Sequence, residues 1–348
     1  MSHPLCISSL DPAAALPGGE IRIHGAHLTS ALWIPEVRMG GIQAPVAIAS
    51  DRLLAVRVPE LCVSGQVEVG RSGSEPGWCR APQTLEVGVM IAENLHPVCN
   101  PALDPEGNIF VTLSGARGQK TPVSLFKLDA NYGLKAWSSA VVNPSGLAFD
   151  SSGALYVSSR QEGAIYRMAA NGAAALFAEG LGVATGIAFD RAGDLYVGDR
   201  SGTIFKINRD RNTFVFATLE PSVAAYHLAF GPDRYLYVTG PSTSSYDTVW
   251  RVSPEGAVEP FFRGLGRPQG LAFDQNGDLY VAASYRSRRG VIRLALNGQA
   301  ECVVSGNNLV GVAFATGRQG GPERPGLVLA THNALYYLAW STHGWPLY

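Results

Sequence analysis

Two arginines stand at the same position of a repeated motif, and their side chains are suited to holding an anion. Arg160 ends the segment LYVSSR and Arg200 ends the segment LYVGDR. A guanidinium group presents a planar fork of N–H donors that matches a carboxylate or a phosphate. If both groups face one pocket, they predict a clamp for a small anionic ligand. The alternative is that each arginine forms an ion pair at the surface, for instance with Glu162 or Asp199.

A second signal comes from polar residues at a position where the other repeats have glycine. Two residues before the recurring alanine of each repeat stand Asn100, Gly146, Gly186, His227, Gly270 and Gly311. Because glycine lets backbones approach closely, Asn100 and His227 indicate a polar binding site, and His227 is the best candidate for a catalytic residue. The other interpretation is that both side chains are hydrogen-bonded to loop backbone. Tyr226 and Gln269 occupy the preceding position in their repeats and are further candidates for binding a ligand.

Other candidate ligand-binding residues follow the corresponding strand in later repeats. Tyr285 follows the segment LYVAAS, and His332 ends the segment LVLATH. Three connections at this point are long, namely SGARGQKTPVS, GPSTSSYDT and ASYRSRRG. Long loops on a rigid scaffold often carry binding specificity. Tyr246 and Tyr285, which lie on two of these loops, either stack on a ligand ring or cover apolar surface.

These candidates belong to a repeat that predicts the architecture. The repeat comprises NPALDPEGNIFV, SGLAFDSSGALYV, TGIAFDRAGDLYV, YHLAFGPDRYLYV, QGLAFDQNGDLYV and VGVAFATGRQGGPERPGLVLA. Each unit contains a strand, a turn rich in Asp, Gly and Asn, a second strand and two further strands, over roughly 40 residues, as expected for one propeller blade. Both sets of candidate side chains, which start the innermost strand and end the second strand, then lie on one face.

The end of the chain lacks a clear fourth strand for the last unit, and the missing strand lies upstream. VMIAENLHPVCNPAL at 89–103 aligns without gaps with ALFAEGLGVATGIAF at 175–189. We therefore expect an all-β chain in which residues 87–348 form a six-bladed propeller and residues about 87–92 close the sixth blade, so that no strand edge is left open. Residues 1–86, with alternating segments such as EIRIHG and AVRVPE, are expected to form a separate Ig-like β-sandwich.

Both parts resemble known families. The pattern P-x-G-[LIV]-A-F-D-x-x-G-x-L-Y-V resembles the NHL repeat and the related SMP-30/gluconolactonase propellers, whereas residues 1–86 resemble the TIG (IPT) domain through Pro12, the Gly18-Gly19 pair and Pro59. The resemblance implies a binding or interaction protein whose polar, Arg-lined central mouth takes a small anionic molecule, a glycan or a protein segment. The alternative is a gluconolactonase-like hydrolase, or a lyase, acting at the same mouth.

The two enzymatic alternatives differ in the metal site that the resemblance implies. Lactonase relatives hold a divalent cation through a Glu, Asn residues and an Asp; here Asn100 matches one ligand, and Asp199 is the only acid that ends a second strand. A zinc lyase of the peptide-amidating type would need His96, His227 and His332 to converge. Hard cations need carboxylate oxygens, so we expect no metal ligands and no cofactor, with a divalent cation as the alternative.

Composition limits the partners and the compartment. The formal net charge of -1 lacks the basic excess of a nucleic-acid binder, and no stretch is long enough for a membrane span. The five cysteines have no metal-ligand spacing; Cys62 and Cys79 are either buried thiols or, in an exported protein, a disulfide. Because the N-terminal residues lack a basic start and an apolar segment, we expect a cytoplasmic protein, or an exported one if a leader has been removed.

Overall fold

The computed structural model describes residues 4–30, 33–71, 78–116, 118–315 and 325–345. Every helix or strand in these ranges is a β-strand, which confirms the predicted all-β fold class. No helix in the described ranges is long and apolar enough to cross a membrane. The chain divides into two compact units. The first comprises Met1–Val89, Tyr285–Ile292 and Glu301–Asn308, and the second comprises Met90–Ser284, Arg293–Ala300 and Leu309–Tyr348.

Nine strands from the N-terminal part of the chain build the first unit. They are β1 (Cys6–Asp11), β2 (Ala14–Ala15), β3 (Glu20–Ala26), β4 (Pro35–Met39), β5 (Ile42–Ala44), β6 (Val46–Ala49), β7 (Leu53–Arg57), β8 (Gly65–Arg71) and β9 (Cys79–Val87). One sheet has the order β1-β3-β7-β6, and a second contains the run β2-β9-β8-β4-β5. Side chains alternate between the two faces of a strand, so Ile21 and Ile23 of β3 are fully buried while Glu20 is exposed.

The buried faces of these strands enclose one hydrophobic core, in which Val37, Leu54 and Val67 are fully buried. Cys62 also belongs to this core, and its thiol lies 3.5 Å from the carbonyl oxygen of Met39. Burial raises the pKa of the Cys62 thiol. Cys62 and the half-buried Cys79 are both free, so the structure has thiols here and not the alternative disulfide.

A partly buried ion pair ties β1 to the segment Tyr285–Ile292 within the first unit. The guanidinium of Arg288 donates to both carboxylate oxygens of Asp11, with Nη1 2.6 Å from Oδ1. Hydrogen bonding from Arg288 holds the pKa of Asp11 below its ordinary value, although burial acts in the opposite direction. Beside this pair, the backbone N–H of Leu16 donates to the carbonyl oxygen of Ser305 at 2.7 Å.

We expect this pair to stabilise the protein at neutral pH and less in acid. A carboxyl group whose pKa is lowered by folding contributes stability above its unfolded pKa, and the contribution is lost as the pH falls through its folded pKa. Because the Asp11 side chain is 44% exposed, Arg288→Met should cost only about 1 kcal/mol at pH 7. Urea unfolding should show the difference from the wild type shrinking between pH 5 and pH 3.

The control is Arg80→Met, which removes an ion pair with Glu68 in the same unit whose arginine side chain is 75% exposed. Its unfolding free energy should stay close to that of the wild type. Equal losses in the two variants would contradict the stabilising role of the Asp11–Arg288 pair.

The remaining strands follow the repeat. They are β10 (Val89–Glu93), β11 (Ala102–Leu103), β12 (Ile109–Thr112), β13 (Leu125–Leu128), β14 (Leu134–Ser138), β15 (Pro144–Phe149), β16 (Leu155–Ser159), β17 (Ala164–Met168), β18 (Ala174–Ala178), β19 (Ala184–Phe189), β20 (Leu195–Asp199), β21 (Thr203–Ile207), β22 (Thr213–Thr218), β23 (His227–Phe230), β24 (Leu236–Thr239), β25 (Asp247–Val252), β26 (Val258–Leu265), β27 (Leu271–Phe273), β28 (Leu279–Tyr285), β29 (Arg288–Leu294), β30 (Ala300–Ser305), β31 (Leu309–Ala315), β32 (Gly326–Thr331) and β33 (Ala334–Ala339). Strands β29 and β30 lie mainly in the first unit.

In the second unit, four antiparallel sheets follow chain order, namely β11-β12-β13-β14, β15-β16-β17-β18, β19-β20-β21-β22 and β23-β24-β25-β26. Another sheet has the order β10-β33-β32-β31, so a strand from before the repeats lies beside the last strand of the chain. Strand β27 pairs with β28. The repeat segment that contains residues 316–324 extends outside the described residues.

In several repeats the turn between the first two strands is built by an aspartate and by a glycine three residues after it. Asp150 Oδ1 accepts hydrogen bonds from the backbone N–H groups of Ser152 and Ala154, each at 2.9 Å. Gly153 has a φ of 79°, which glycine adopts without strain. Asp274 accepts the equivalent bonds from Asn276 and Asp278. The D-x-x-G spacing therefore sets the register of these hairpins.

Aromatic side chains join successive sheets of the second unit. The ring of Tyr156, on the second strand of one sheet, meets Phe189, on the first strand of the next, edge to face at a centroid distance of 4.9 Å. The same contact recurs in the pairs Phe110–Phe149, Tyr196–Phe230, Tyr237–Phe273 and Tyr280–Phe314. Strands β11, β15, β19, β23, β27 and β31 contact one another in that cyclic order. This arrangement is a β-propeller with the first strands innermost.

Candidate functional site

The strand pairing places the two predicted sets of site residues at the same end of each sheet. Pro144 at the start of β15 pairs with Ser159 at the end of β16, and Ala184 at the start of β19 pairs with Asp199 at the end of β20. Residues that start the inner strands therefore lie next to residues that end the second strands. We call this end of the second unit the mouth, defined by Arg160, Arg200, Ser114 and His332, which hold the same position of their repeats.

Arg160 is the more enclosed of the two arginines at the mouth. Its Nη2 donates to the hydroxyl oxygen of Ser114 at 2.6 Å, and Ser114 is itself 1% exposed. Its Nε atom is buried and has no hydrogen-bond partner among the described residues. Burial lowers the pKa of Arg160; the neighbouring Cys99 opposes this shift, and the positive charge of Arg200 adds to it.

Arg200 is exposed and is oriented by backbone. Its Nη2 donates to the carbonyl oxygen of Val223 at 2.9 Å. No ion pair within the described parts of the chain involves Arg160 or Arg200. Asp199, one suggested partner, is 6% exposed, and its carboxylate accepts hydrogen bonds from Val183 N–H and the Ser201 hydroxyl. The ion-pair alternative is therefore wrong for the described residues.

Asn100 is bonded to strand backbone, and not to the loop backbone that the second interpretation of its position expected. Its Nδ2 donates to the carbonyl oxygen of Leu271 at 2.8 Å, and its Oδ1 accepts from the N–H of Val312 at 3.1 Å. The amide thus links the inner strands of two other sheets. A Cβ atom at Gly270 would lie 2.1 Å from Asn100 Oδ1, so this bridge requires glycine there. In this structure Asn100 holds the inner strands together.

His227 is buried in a different way, because its ring has no partner. It is 2% exposed, and neither Nδ1 nor Nε2 has a hydrogen-bond partner within the described residues. Burial lowers the pKa of His227 to about 3, so the ring is neutral at physiological pH. Both nitrogen atoms are enclosed in this structure, and the catalytic role expected of His227 stays a prediction.

The other predicted site residues fall into different environments. Tyr226 is 2% exposed and packs in the hydrophobic cluster with Leu228, with its hydroxyl donating to the carbonyl oxygen of Glu220. Burial, together with the acids Asp199 and Glu220, raises the pKa of Tyr226 to about 12. This position in the core differs from the one expected at the mouth, because the side chain turns between two sheets instead of outwards.

Gln269 and His332 remain available at the mouth. Gln269 is half-buried, and its backbone carbonyl accepts from the hydroxyl of Thr239. His332 is exposed at the end of β32. Tyr285 is assigned to the first unit, where the guanidinium of Arg286 lies 5.1 Å from the centre of its ring. Tyr246 is 70% exposed. Its ring lies against Gly264, where an added Cβ atom would be 3.1 Å from the ring.

The carboxylates and histidines do not assemble into a metal site. No group of three or more His, Cys, Asp or Glu side chains within the described ranges is arranged to hold a metal ion. His96, His227 and His332 therefore do not form the set that a zinc lyase would need. The donor set also does not fit the lactonase pattern, because the Asn100 oxygen accepts a backbone hydrogen bond and the Asp199 carboxylate is bonded to its own loop.

Sequence reasoning did not foresee that His96 lies beside the mouth. Its Nδ1 lies 2.6 Å from the carbonyl oxygen of Ser114, the residue that also binds Arg160. Ser114 holds the position in its repeat that Arg160 and Arg200 hold in theirs. This equivalence was the only indication in the sequence that a residue bonded to Ser114 would lie near the arginines.

Comparison with known proteins assigns the folds of the two parts. Residues 5–85 match the family described as IPT/TIG domain, which confirms the TIG resemblance. No curated protein matches the chain. Solved structures match over the propeller or over the whole chain, at identities that establish the fold alone.

Three of these structures illustrate the similarity. A putative gluconolactonase is 16% identical, with a TM-score of 0.60, over 75% of this chain and 94% of its own. A gluconolactonase from Xanthomonas campestris is 16% identical, with a TM-score of 0.57, over 73% and 90%. An auxiliary nutrient binding protein from Bacteroides thetaiotaomicron VPI-5482 is 12% identical, with a TM-score of 0.56, over 97% and 98%. The chain thus combines a TIG domain at residues 5–85 with a β-propeller fold.

We expect His227 to make the protein less stable as the pH falls. A histidine whose pKa is lowered by folding favours the folded state above its unfolded pKa, near 6.5, and this contribution is lost progressively towards its folded pKa of about 3. The loss approaches about 1.4 kcal/mol per pH unit. His227→Gln removes the titration, so its unfolding free energy, measured by urea titration from pH 7 to pH 4, should fall less steeply than that of the wild type.

The matched control is His343→Gln, because His343 is an exposed histidine of the same unit. It should reproduce the pH dependence of the wild type. If His227→Gln and the wild type showed parallel curves, His227 would not be buried in its neutral form.

Proposed function

We propose that the protein is a binding protein in which a TIG domain, residues 1–86, precedes a six-bladed NHL-type propeller, residues 87–348, whose mouth binds a small anionic molecule. Two observations support the blade count: the cyclic contacts of the six inner strands, and the pairing of β10 with β33. In this proposal residues about 87–92 supply the outer strand of the sixth blade.

The observation that carries the function is the pair of arginines without carboxylate partners. A partly buried guanidinium costs free energy unless its charge and its N–H groups are compensated. Arg160 has one hydrogen bond, to a neutral hydroxyl, and Arg200 has one to a carbonyl oxygen. The two positive charges are close enough to affect each other, since Arg200 lowers the pKa of Arg160. A carboxylate or similar anion between them would compensate both.

The acids of the mouth strengthen this argument because they are turned away from it. Asp199 binds Val183 N–H, and Asp247, which is 4% exposed, accepts hydrogen bonds from the Ser242 N–H and hydroxyl and from the Arg267 N–H. Their negative charges are stabilised inside loops, whereas the guanidinium groups remain near the surface. The mouth therefore favours an anion.

A hydrolase of the gluconolactonase type is the second candidate, favoured by the likeness in fold to gluconolactonases. The described residues do not supply the carboxylate set that a divalent cation needs, so we derive no reaction step through a metal. The likeness to an auxiliary nutrient binding protein covers nearly the whole chain and supports the binding role.

We expect Arg160→Lys and Arg200→Lys each to weaken anion binding. Lysine keeps the charge but loses the planar fork, and one charge-assisted contact is worth about 1–3 kcal/mol, which corresponds to roughly a fivefold to hundredfold rise in Kd. The measurement is calorimetric titration at pH 8 with acetate, phosphate and methanesulfonate. Arg167→Lys, which changes an exposed arginine on the third strand of the same sheet, is the control and should bind as the wild type does.

Two results would overturn the proposal. The first is equal binding of all these anions by the wild type and both variants. The second is hydrolysis of a lactone by the wild type that depends on an added divalent cation, which would favour the enzymatic alternative.

A further inference from the structure

We propose that the mouth carries a second cationic point, formed by His96 and His332, and that its ligand therefore has two separate anionic groups. This inference rests on the proposed function, because it assumes that Arg160 and Arg200 bind the first anionic group. It is carried by the hydrogen bonds that place the two histidines beside the arginines.

His96 is bonded to the residue that holds Arg160. Its ring Nδ1 lies 2.6 Å from the carbonyl oxygen of Ser114. Because a carbonyl oxygen only accepts hydrogen bonds, Nδ1 carries the proton, and Nε2 is the nitrogen left for a ligand. The backbone N–H of Ser114 donates back to the carbonyl oxygen of His96 at 3.3 Å. Ser114 then accepts from Arg160 Nη2 through its hydroxyl, so His96 and Arg160 share one anchor.

His332 is placed next to His96 by a backbone contact. The N–H of Leu95 donates to the carbonyl oxygen of Asn333 at 3.0 Å. This bond holds the residue before His96 against the residue after His332. His332 also occupies the position in its repeat that Arg160 and Arg200 occupy in theirs. The four basic residues therefore follow one another around the mouth, in the order His332, His96, Arg160, Arg200, on consecutive sheets.

The charged groups around the two histidines leave room for an anion. Both rings are exposed, and neither forms an ion pair within the described part of the chain. Arg160 reaches His96 through Ser114, Lys120 is exposed on the loop after Ser114, and the exposed Glu93 is the acid on β10. Cys99, three residues after His96, is buried and lies against Ser145 at 3.5 Å. Among these described residues, the positively charged groups outnumber the carboxylates.

The second point is built from imidazole groups, which separates it chemically from the first. Histidine side chains generally gain their positive charge between about pH 8 and pH 5, whereas arginine is charged throughout this range. Positive charge at this separate place benefits a dianion that spans both points more than a monoanion.

The test uses sulfonates, because their charge does not change between pH 5.5 and pH 8. Calorimetric titration with methanesulfonate and with 1,3-propanedisulfonate at both pH values gives four dissociation constants. We expect the disulfonate to bind at least about tenfold more tightly at pH 5.5 than at pH 8, which corresponds to about 1.4 kcal/mol. Methanesulfonate should change by less than about threefold, since the arginines already hold it.

The double variant His96→Asn/His332→Asn tests the assignment to these residues. Asparagine keeps a hydrogen-bond donor near the position of Nδ1, so the bond to Ser114 can persist while the titrating ring is lost. In this variant, the ratio of the disulfonate dissociation constant at pH 8 to that at pH 5.5 should fall to about one. His343→Asn, at an exposed histidine elsewhere in the second unit, should keep the ratio of the wild type. Circular dichroism and thermal melting would verify that all variants are folded.

The outcomes separate this inference from the proposed function. A persistent pH ratio in the double variant, or equal affinities for the two sulfonates at pH 5.5, would overturn the second cationic point while leaving the arginine site intact. Methanesulfonate binding at pH 8 that is insensitive to Arg160→Lys and Arg200→Lys would instead overturn the proposed function, and this inference with it.

Discussion

The close approach of the inner strands around the propeller axis is the constraint on which the second unit depends. A Cβ atom at Gly146 would lie 2.4 Å from the carbonyl oxygen of Thr185, and one at Gly186 would lie 2.3 Å from that of Tyr226. A Cβ atom at Gly311 would lie 2.8 Å from the carbonyl oxygen of Cys99. At each of these points the backbone of the next sheet occupies the space that a side chain on the glycine would need. Larger residues would force the sheets apart.

This crowding decides which residues can face a ligand. Near the axis, polar groups are consumed by bonds between sheets: the hydroxyl of Ser158 accepts from Gly146 N–H and donates to Thr185 O. The side-chain amide of Asn100 likewise donates to the carbonyl oxygen of Leu271 and accepts from the N–H of Val312. Side chains at the ends of the second strands lie one strand further from the axis. That is why Arg160 and Arg200 keep N–H groups free of carboxylates, whereas His227 is enclosed.

Much of the fold could be predicted from the sequence because it rests on local chemistry. The D-x-x-G turns bind their own backbone within four residues, as Asp150 does, and the recurring Phe and Tyr positions form the same edge-to-face pair in five of the six steps around the ring. The candidate site was only partly predictable. The equivalence of Arg160 and Arg200 follows from the repeat, but the partners of Asn100 lie 171 and 212 residues away in sequence. No pattern in one repeat reveals such a bridge, nor does it show that Tyr226 turns between two sheets.

The charges of the repeats also differ between the two ends of the second strand, and this difference explains why one end is suited to binding. At the start of β20, Asp194 forms an ion pair with Lys206 of β21 at 2.9 Å, and Lys127 and Asp104 form a similar but longer pair in another sheet. Cations at that end are neutralised by acids of their own sheet. At the other end of β20, Asp199 is buried and bonded to its loop, so Arg200 has no acid to meet. Because the same short strand separates a neutralised end from a positively charged end, the charge that remains for a ligand is concentrated at the mouth.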